Sequence, residues 1–267
     1  MKKLAILNLK GGIGKTTTAV SLAYIMARRF NKNVLIVDCD MQGNASKVFN
    51  RYDPDSPGTH NVMTGSRNIN ACVFSTEYNP DTSKEFTDGG RVDIVPANMY
   101  LMQANVTVMQ DTEQEQLHRL QRACDQLDDG AHKYDFVIFD CALGLDMTVL
   151  NAVIAADLII APVPFGGYEV DGLQQLEEQL EDLRAIKPDI ALKVLFTMKQ
   201  GNKANYEFEE WLKYESGYNV FSAAIRRSVT VPKATTLKMP LPASSRRGAA
   251  TKDYEAVTLE LLQQFEK

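Results

Sequence analysis

Short runs of β-branched and other apolar residues alternate along the chain with longer amphipathic stretches. Several of the short runs are apolar at every position, which is typical of strands covered by helices on both faces of a sheet. Seven runs are predicted to be strands: residues 4–7, 34–37, 92–95, 136–139, 158–161, 192–196 and 220–223. The pattern therefore predicts a sheet that is buried on both sides.

The longer stretches carry apolar residues at helical spacing. Helices are predicted over residues 16–28, 112–127 and 172–186, and Pro188 ends the last of them. Because strands alternate with helices, we expect one α/β domain over residues 1–267, with a mostly parallel twisted sheet and helices on both faces. The least regular part, residues 51–91, is predicted to form short helices and loops inserted at the edge of the sheet.

The composition is ordinary for a soluble globular protein, with 45% hydrophobic and 24% charged residues. The scattered cysteines Cys39, Cys72, Cys124 and Cys141 have no accompanying histidine cluster, so the sequence does not favour a zinc site. Such cysteines usually pack as small apolar residues in a reducing cytosol. No apolar stretch reaches the roughly 18 residues of a membrane-spanning helix. We therefore expect a cytoplasmic protein that does not cross a membrane.

Charge is distributed unevenly along the chain, whose net charge is −5. Residues 216–252 hold no acidic residue and seven basic ones: Arg226, Arg227, Lys233, Lys238, Arg246, Arg247 and Lys252. The rest of the chain has 22 basic and 34 acidic residues, a balance of −12. We call residues 216–252 the basic segment, and its charge predicts a local polyanion site on an acidic body.

A glycine-rich turn follows the first predicted strand. Residues 10–14 lie between that strand and a helix from Lys15, the context in which backbone N–H groups and a helix N-terminus face phosphates. Lys15 is predicted to reach the β- and γ-phosphates of a nucleoside triphosphate, and the Thr16 hydroxyl to hold Mg²⁺. Leu9 replaces the first glycine of the standard pattern G-x-x-x-x-G-K-[ST].

Acidic residues follow two other predicted strands. The apolar run 136–139 ends in Asp140, a pattern typical of the acid that binds Mg²⁺ through water in P-loop ATPases. The run 34–37 leads into DCDMQGNAS, which places Asp38 and Asp40 at a strand's carboxyl end. Open α/β sheets bind ligands at that edge, so these acids are predicted to face the glycine-rich turn.

The segment KGGIGKTT, residues 10–17, resembles the deviant Walker A motif K-G-G-x-G-K-T-T of the ParA/MinD superfamily of P-loop ATPases. DCDMQGNAS resembles that family's D-x-D-P-Q-G-N-A-T, and ADLIIAPVPFGGYEVDGLQQL, from Ala156, resembles a third family segment. The likeness runs from about residue 2 to residue 265 and is weakest over residues 51–91. It implies a P-loop NTPase fold of the ParA/MinD type, with ATP and Mg²⁺ as cofactors.

The resemblance also implies roles for individual residues. ATP would be bound by Lys10, Gly11, Gly12, Ile13, Gly14, Lys15, Thr16 and Thr17. Hydrolysis would involve Lys10, Lys15 and Asp40, with Asp40 orienting or activating the attacking water. Magnesium would be held by Thr16, Asp38 and Asp140.

The second lysine of the loop, Lys10, crosses the interface of an ATP-bound homodimer in that family and touches the partner's nucleotide. The physics agrees, because two facing triphosphates repel each other and a cation from each side offsets that repulsion. Three departures leave the behaviour of the neighbouring loops open. Met41 and the pair Ala142-Leu143 replace prolines of the family pattern, and Gly166 replaces an acid.

Adenine contacts from Met198 and Arg226 are implied as well. ParA proteins bind double-stranded DNA without sequence preference through basic residues of their C-terminal region, as ATP dimers. The corresponding candidates here are Lys199, Lys203, Arg226, Arg227, Lys233, Lys238, Arg246 and Arg247. Few aromatic residues are interspersed among them, which does not favour stacking on single strands.

The function implied is that of a short, Soj-type partition ATPase. ATP would assemble a dimer that binds nucleoid DNA, and a ParB-like centromere-binding partner would stimulate an otherwise slow hydrolysis. One alternative, a MinD-like membrane-associated ATPase switch, would need a basic amphipathic C-terminal helix, whereas the tail here is acidic and is expected to dock on the body. Another, an iron–sulfur carrier or reductase-type ATPase, would need paired cysteines that bridge a cluster. The sequence leaves the DNA cargo and the partner open.

Overall fold

A seven-stranded sheet forms the centre of the computed structural model, which describes residues 1–78, 89–112, 115–128 and 134–266. Its strands are β1 (Lys2–Ile6), β2 (Val34–Cys39), β3 (Phe74–Ser75), β4 (Val92–Val95), β5 (Phe136–Cys141), β6 (Leu158–Pro164) and β7 (Leu192–Thr197). They lie in the order β3-β4-β2-β5-β1-β6-β7. Only β3 runs antiparallel to its neighbour. The predicted mostly parallel α/β sheet is confirmed.

Helices cover both faces of this sheet. They are α1 (Lys15–Phe30), α2 (Asn44–Val48), α3 (Thr59–Thr64), α4 (Tyr100–Gln110), α5 (Arg119–Asp128), α6 (Met147–Ala155), α7 (Gly167–Arg184), α8 (Lys203–Tyr214), α9 (Thr230–Thr236), α10 (Leu241–Ser244) and α11 (Ala249–Phe265), with a 3₁₀ turn at Ile69–Cys72. Successive strand residues point to opposite faces, so Val37 joins the core under α4 to α7 while Ile36 joins the core under α1 and α11.

Six of the seven predicted strands are present, and the prediction for residues 220–223 is wrong. Val220 forms only an isolated bridge to Val194. The chain then bonds to β7 at Phe221 and again at Ile225, but it bends between these two points and no regular ladder forms. The seventh strand is instead β3, a two-residue edge strand within the irregular part of the chain.

The helix predicted over residues 112–127 begins too early, because α5 starts at Arg119. The helix before it, α4, was not predicted. Between these helices, the Gln116 side chain donates to the carbonyl of Asp111 at 2.8 Å. The Arg119 guanidinium pairs with the Asp111 carboxylate. These bonds join Asp111, just after α4, to Gln116 and to the first residue of α5. Short helices and loops do occupy the described part of residues 51–91, and residues 79–88 of that prediction lie outside the described residues.

The C-terminal helix docks on the body, as predicted. Tyr254, Val257 and Leu261 of α11 are buried against α1, and the Tyr254 hydroxyl lies 3.0 Å from that of Thr18. Helix α11 therefore covers part of α1, the helix that follows the glycine-rich loop. Among the described helices, none has the length and apolar character needed to pass through a membrane.

Candidate nucleotide-binding site

The predicted nucleotide residues meet at the carboxyl edge of the central strands. Asp140, on β5, is in register with Ile6 of β1 on one side and with Asp38 of β2 on the other. Because parallel strands end at the same edge, the loops that follow them share one surface. The sheet topology therefore places the glycine-rich loop and both acids together.

The glycine-rich loop is an open cradle ahead of α1. Gly12 and Gly14 have left-handed φ angles of 72° and 96°, which favour glycine over other residues. Apart from adjacent residues, no atom of the described chain lies within 4 Å of where a side chain would begin at Gly11, Gly12 or Gly14. Together with the N-terminus of α1, this shape leaves room for phosphates beside the backbone N–H groups.

Lys15 is turned back onto the loop that it belongs to. Its Nζ donates to the carbonyl oxygens of Asn8 at 3.1 Å and of Lys10 at 2.8 Å. Burial lowers the pKa of Lys15, while the charges of Asp140, Cys141 and Asp40 oppose that shift. A partly desolvated ammonium interacts strongly with an anion, so a triphosphate in the cradle would compete well for Lys15.

Asp140 is a buried acid beside the Thr16 hydroxyl. It is fully buried, and within the described part of the chain neither of its carboxylate oxygens is in hydrogen-bonding geometry with another group. Burial, followed by the charge of Asp38, raises its pKa well above the usual value, and the nearby Thr16 hydroxyl opposes the shift. Buried carboxylates without partners are costly. Two such oxygens beside a hydroxyl suit a hydrated Mg²⁺, which prefers oxygen ligands.

In Asp38, by contrast, both carboxylate oxygens accept hydrogen bonds from neighbouring residues. Its Oδ2 accepts bonds from the backbone N–H of Ser46 at 2.8 Å and from the Ser46 hydroxyl at 2.6 Å. Its Oδ1 accepts from the N–H of Asp40 at 3.2 Å. Burial raises the pKa of Asp38 to about 6, although the bonds from Ser46 and Asp40 oppose this. Asp38, on the strand next to that of Asp140 and in register with it, is thus bonded to Ser46 and Asp40.

Asp40 lies directly after β2 and is half-buried. Its Oδ1 accepts a bond from the N–H of Gln42 at 2.9 Å, and its carbonyl accepts from Gly43 at 2.8 Å. These bonds fix the turn that carries the carboxylate. The charge of Asp40 contributes to the pKa shifts of Lys15 and Asp140, so its carboxylate lies near both groups.

Lys10 is half-buried, and the structure leaves its ammonium group available. Its backbone N–H donates to Asn8 Oδ1 at 3.1 Å, and its side chain lies against Gly172 of α7. In the described part of the chain, no hydrogen bond or ion pair of the Lys10 Nζ is present. The loop therefore holds one lysine that is bonded to its own backbone and a second that is uncommitted.

The predicted adenine residues lie on neighbouring segments. The Lys199 N–H donates to the carbonyl of Ile225 at 3.0 Å, and the Arg227 N–H donates to the carbonyl of Lys199 at 2.9 Å. This pairing brings Met198 close to Arg226. Arg226 lines a cleft of about 830 Å³, whereas Met198 is not among the lining residues of that cleft. On the loop side, the Thr197 hydroxyl donates to the carbonyl of Ile13 at 3.3 Å.

The candidate DNA-binding residues fall into two groups. Three of them form ion pairs with acidic residues. Arg226 forms a bidentate pair with Asp253. Lys199 pairs with Glu209, and Lys203 pairs with Glu207. The other five are exposed, and within the described ranges they form no ion pair: Arg227, Lys233, Lys238, Arg246 and Arg247. Residues 216–252 contain no acidic residue. The next residue in the sequence, Asp253, nevertheless pairs with Arg226 in the structure.

Sequence reasoning missed residues that organise this edge. Asn8 is buried; its Nδ2 donates to the carbonyl of Pro162 at 2.8 Å and ties β6 to the loop. Asn105 of α4 donates to Asp146 at 2.9 Å, and it accepts from the N–H and hydroxyl of Thr148. A polar residue directly after an apolar strand was the available signal for Asn8. The partners of Asn105 are distant in sequence and left no local signal.

Comparison with known proteins is consistent with this geometry. A family model described as an AAA domain, AAA_31, matches residues 1–192. The chromosome partitioning protein ParA of Myxococcus xanthus is 29% identical over 264 residues, which cover 97% of this chain and 87% of that protein. The sporulation initiation inhibitor protein Soj of Bacillus subtilis is 29% identical over 245 residues, 90% of each chain.

Among solved structures, cobyrinic acid a,c-diamide synthase from Mycobacterium smegmatis with bound ADP and magnesium is similar in fold. The TM-score is 0.80 at 24% sequence identity, and the match covers 100% of this chain and 96% of the synthase. The same fold thus serves a synthase as well as partition proteins. Fold alone does not select the function, so the choice depends on the residues of the site.

Proposed function

Because the chain belongs to the AAA_31 family of ParA-type P-loop ATPases, we propose that it is a DNA partition ATPase that works as an ATP-dependent homodimer. The observation that carries this proposal is the pair of lysines in the glycine-rich loop. Lys15 is bonded to its own loop, while Lys10 has an uncommitted ammonium. Binding one triphosphate requires the first lysine, and a second lysine whose ammonium is uncommitted suits a neighbour's nucleotide.

ATP and Mg²⁺ are the proposed cofactors. The triphosphate would lie on the cradle formed by residues 11–17, with Lys15 on its terminal phosphates. Thr16 and Asp140 would hold the hydrated Mg²⁺, which neutralises charge on the phosphates when bound. Asp38 would keep the Asp140 edge ordered through Ser46, and Asp40 would orient the attacking water. The feature that supports a cation at this place is the burial of Asp140 beside the Thr16 hydroxyl, with neither carboxylate oxygen in a well-formed hydrogen bond within the described part of the chain.

The base end of the nucleotide would point toward the cleft lined by Arg226 and Lys199. That cleft lies beside the segment that the Thr197 hydroxyl links to the glycine-rich loop. Polar groups at a cleft wall can select one base over another. We therefore propose Arg226 as an adenine contact. Met198 precedes Lys199 and does not line the cleft, so its proposed adenine contact depends on the family resemblance.

A homodimer would bury the carboxyl edge of the sheet. Three large apolar side chains are exposed on the segments that follow β5 and β6: Leu143 and Phe165 on the loops and Tyr168 in the first turn of α7 are 61%, 43% and 81% exposed. Apolar side chains clustered on one surface favour a contact with another protein surface. Lys10 lies at the same edge, so a second copy that covers these loops would receive its ammonium.

Double-stranded DNA is the proposed ligand of the basic segment, bound by the ATP dimer in the cytoplasm at the nucleoid. Five exposed basic residues without acidic partners in the described ranges support it. Such contacts with phosphates are sequence-independent, with a Kd of about 10⁻⁴–10⁻⁶ M at physiological salt. A ParB-like centromere-binding protein would stimulate hydrolysis and release the DNA.

The two other functions have less support from the geometry. A MinD-like switch needs an amphipathic helix that can lie on lipid, but the apolar residues of α11 are buried against α1. An iron–sulfur carrier needs accessible thiolates, but Cys39 and Cys141 are buried. Sedimentation with anionic vesicles and an assay for iron and sulfide test these alternatives directly.

The proposal is tested by sizing the protein with ATP and Mg²⁺ by light scattering. We expect the wild type to dimerise, Asp40→Ala to accumulate as a dimer because hydrolysis is blocked, and Lys10→Ala to remain a monomer. The matched control is Lys252→Ala, which removes an exposed lysine far along the chain from the loop. Dimerisation and normal hydrolysis by Lys10→Ala would overturn the cross-interface role.

A further inference from the structure

Gly172, in the first half of α7, is covered by the side chain of Lys10. A methyl group at Gly172 would lie 2.7 Å from Cε of Lys10, 3.0 Å from Cγ and 3.4 Å from Cδ. Gly172 is buried although it sits near the exposed edge of the site. The lysine stem therefore lies directly on the helix backbone, in space that any other residue would fill.

The glycine is not required by the helix itself. Glycine inside a helix is less stable than alanine by about 0.5–1 kcal/mol. The backbone at Gly172 is not in the left-handed region that favours glycine, and all three of the nearest atoms belong to the flexible Lys10 side chain. An alanine would therefore suit α7, and among the described residues the group that would have to move is the Lys10 side chain.

Lys10 is held at three points, and nucleotide binding would release one of them. Its N–H is bonded to Asn8, its carbonyl accepts from Lys15 Nζ at 2.8 Å, and its stem rests on Gly172. If Lys15 turns to a triphosphate, the bond to the Lys10 carbonyl is lost. Contact with Gly172 then remains as the main restraint on the side chain, because its ammonium has no partner in the part of the chain that the structure describes.

We propose that Gly172 is a positioning residue that holds Lys10 in a resting position on its own subunit. The ammonium leaves this position when it meets the triphosphate bound to a second copy. The inference rests on the proposed function, in which Lys10 crosses the dimer interface. It adds that an equilibrium between resting and extended lysine sets how much nucleotide the dimer requires, because a binding-competent state that is only partly populated weakens the apparent affinity.

The test is Gly172→Ala, measured as dimerisation against the concentration of a non-hydrolysable ATP analogue with Mg²⁺. We expect the midpoint to fall by about three- to tenfold, because the resting position is blocked while the extended one is untouched. The melting temperature should be equal to or higher than that of the wild type, because alanine favours the helix. Gln174→Ala, an exposed change in the same helix, should leave the midpoint unchanged.

A midpoint for Gly172→Ala that is unchanged or higher than that of the wild type, in a protein with normal melting, overturns the resting position. The double variant Lys10→Ala/Gly172→Ala should remain a monomer like Lys10→Ala, because the alanine acts only through the Lys10 side chain. If Lys10→Ala alone still dimerises like the wild type, the proposed function fails first, so the two failures are distinguishable. If Gly172→Ala does not fold, Gly172→Ser provides the same comparison.

Discussion

The glycine-rich loop and the basic segment both present positive charge, and the protein holds that charge in opposite ways. In the loop, two lysines are half-buried and their stems or head groups contact the protein. In the basic segment, five cations stand exposed, without ion pairs in the described ranges. The first arrangement suits one small anion in one position, and the second suits a long polyanion in any register.

The difference lies in what surrounds each charge. Burial lowers the pKa of Lys15 and, for the same reason, strengthens its attraction to a phosphate, because low-dielectric surroundings screen charge poorly. Water and dissolved ions screen the attraction between exposed arginines and phosphates. Each arginine therefore contributes little to the affinity for DNA, and the contributions accumulate over many contacts. Within the segment, Arg226 is intermediate, because it is exposed but paired with Asp253.

The substitution that should separate the two regions most clearly is Lys15→Ala, which removes a half-buried cation of the glycine-rich loop. We expect the rate of ATP hydrolysis to fall by at least about 10²–10³-fold, the typical cost of removing one fixed group that stabilises transition-state charge. Hydrolysis at saturating ATP and Mg²⁺ measures this, with Lys252→Ala as the control for loss of a lysine. Hydrolysis within threefold of the wild type would show that the loop lysine is not a fixed catalytic cation.

The second prediction concerns the exposed cations of the basic segment. Arg246→Glu/Arg247→Glu should weaken binding of the ATP dimer to double-stranded DNA by at least about tenfold, and should reduce the salt dependence of log Kd by about two. ATP hydrolysis without DNA should be unchanged. DNA binding is measured by fluorescence anisotropy at several salt concentrations.

Arg67→Glu is the control for that double variant, because Arg67 is an exposed arginine outside the basic segment. We expect little change in DNA affinity per charge reversed. A loss equal to that of Arg246→Glu/Arg247→Glu, or a double variant with wild-type salt dependence, would mean that net charge, and not the basic segment, governs binding.

How far the sequence predicted these two regions depends on how local the interactions are. The loop was predictable because its strand, glycines and helix are contiguous, and the structure keeps them in that order. Asp140 was predictable because it ends an apolar run. The contact of Lys10 with Gly172 was not, since only the packing of α7 over the loop brings the two residues together.

The basic segment was less predictable for the same reason. The basic segment contains no acidic residue in the sequence, but an acidic residue lies beside it on the protein surface. This residue is Asp253, which pairs with Arg226. Residues 220–223 have the composition of a strand, but a bend between two bonds to β7 prevents a ladder. Local pattern predicts elements well, whereas ion pairs and edge pairing depend on the assembled fold.

The smallest expected effect tests the intermediate case, Arg226. Its guanidinium donates to both carboxylate oxygens of Asp253, with the shortest bond at 2.6 Å. Asp253→Asn keeps the size of the side chain but removes its charge, so Arg226 becomes available to phosphates. We expect DNA affinity to rise by about two- to threefold and the salt dependence of log Kd to increase by about one. Anisotropy titrations with the ATP-bound protein measure both changes.

Stability separates this effect from damage to the fold. The Arg226 side chain is 54% exposed and that of Asp253 13% exposed, and asparagine keeps the size and an acceptor oxygen at position 253, so unfolding of Asp253→Asn should shift by about 1 kcal/mol or less. Glu255→Gln is the matched control, because Glu255 also lies on α11 and pairs with Arg29 at 3.1 Å, outside the basic segment. Equal gains in DNA affinity for both variants would assign the gain to net charge. A gain confined to Asp253→Asn would place Arg226 among the DNA contacts, because only there does the lost carboxylate release a cation of the basic segment.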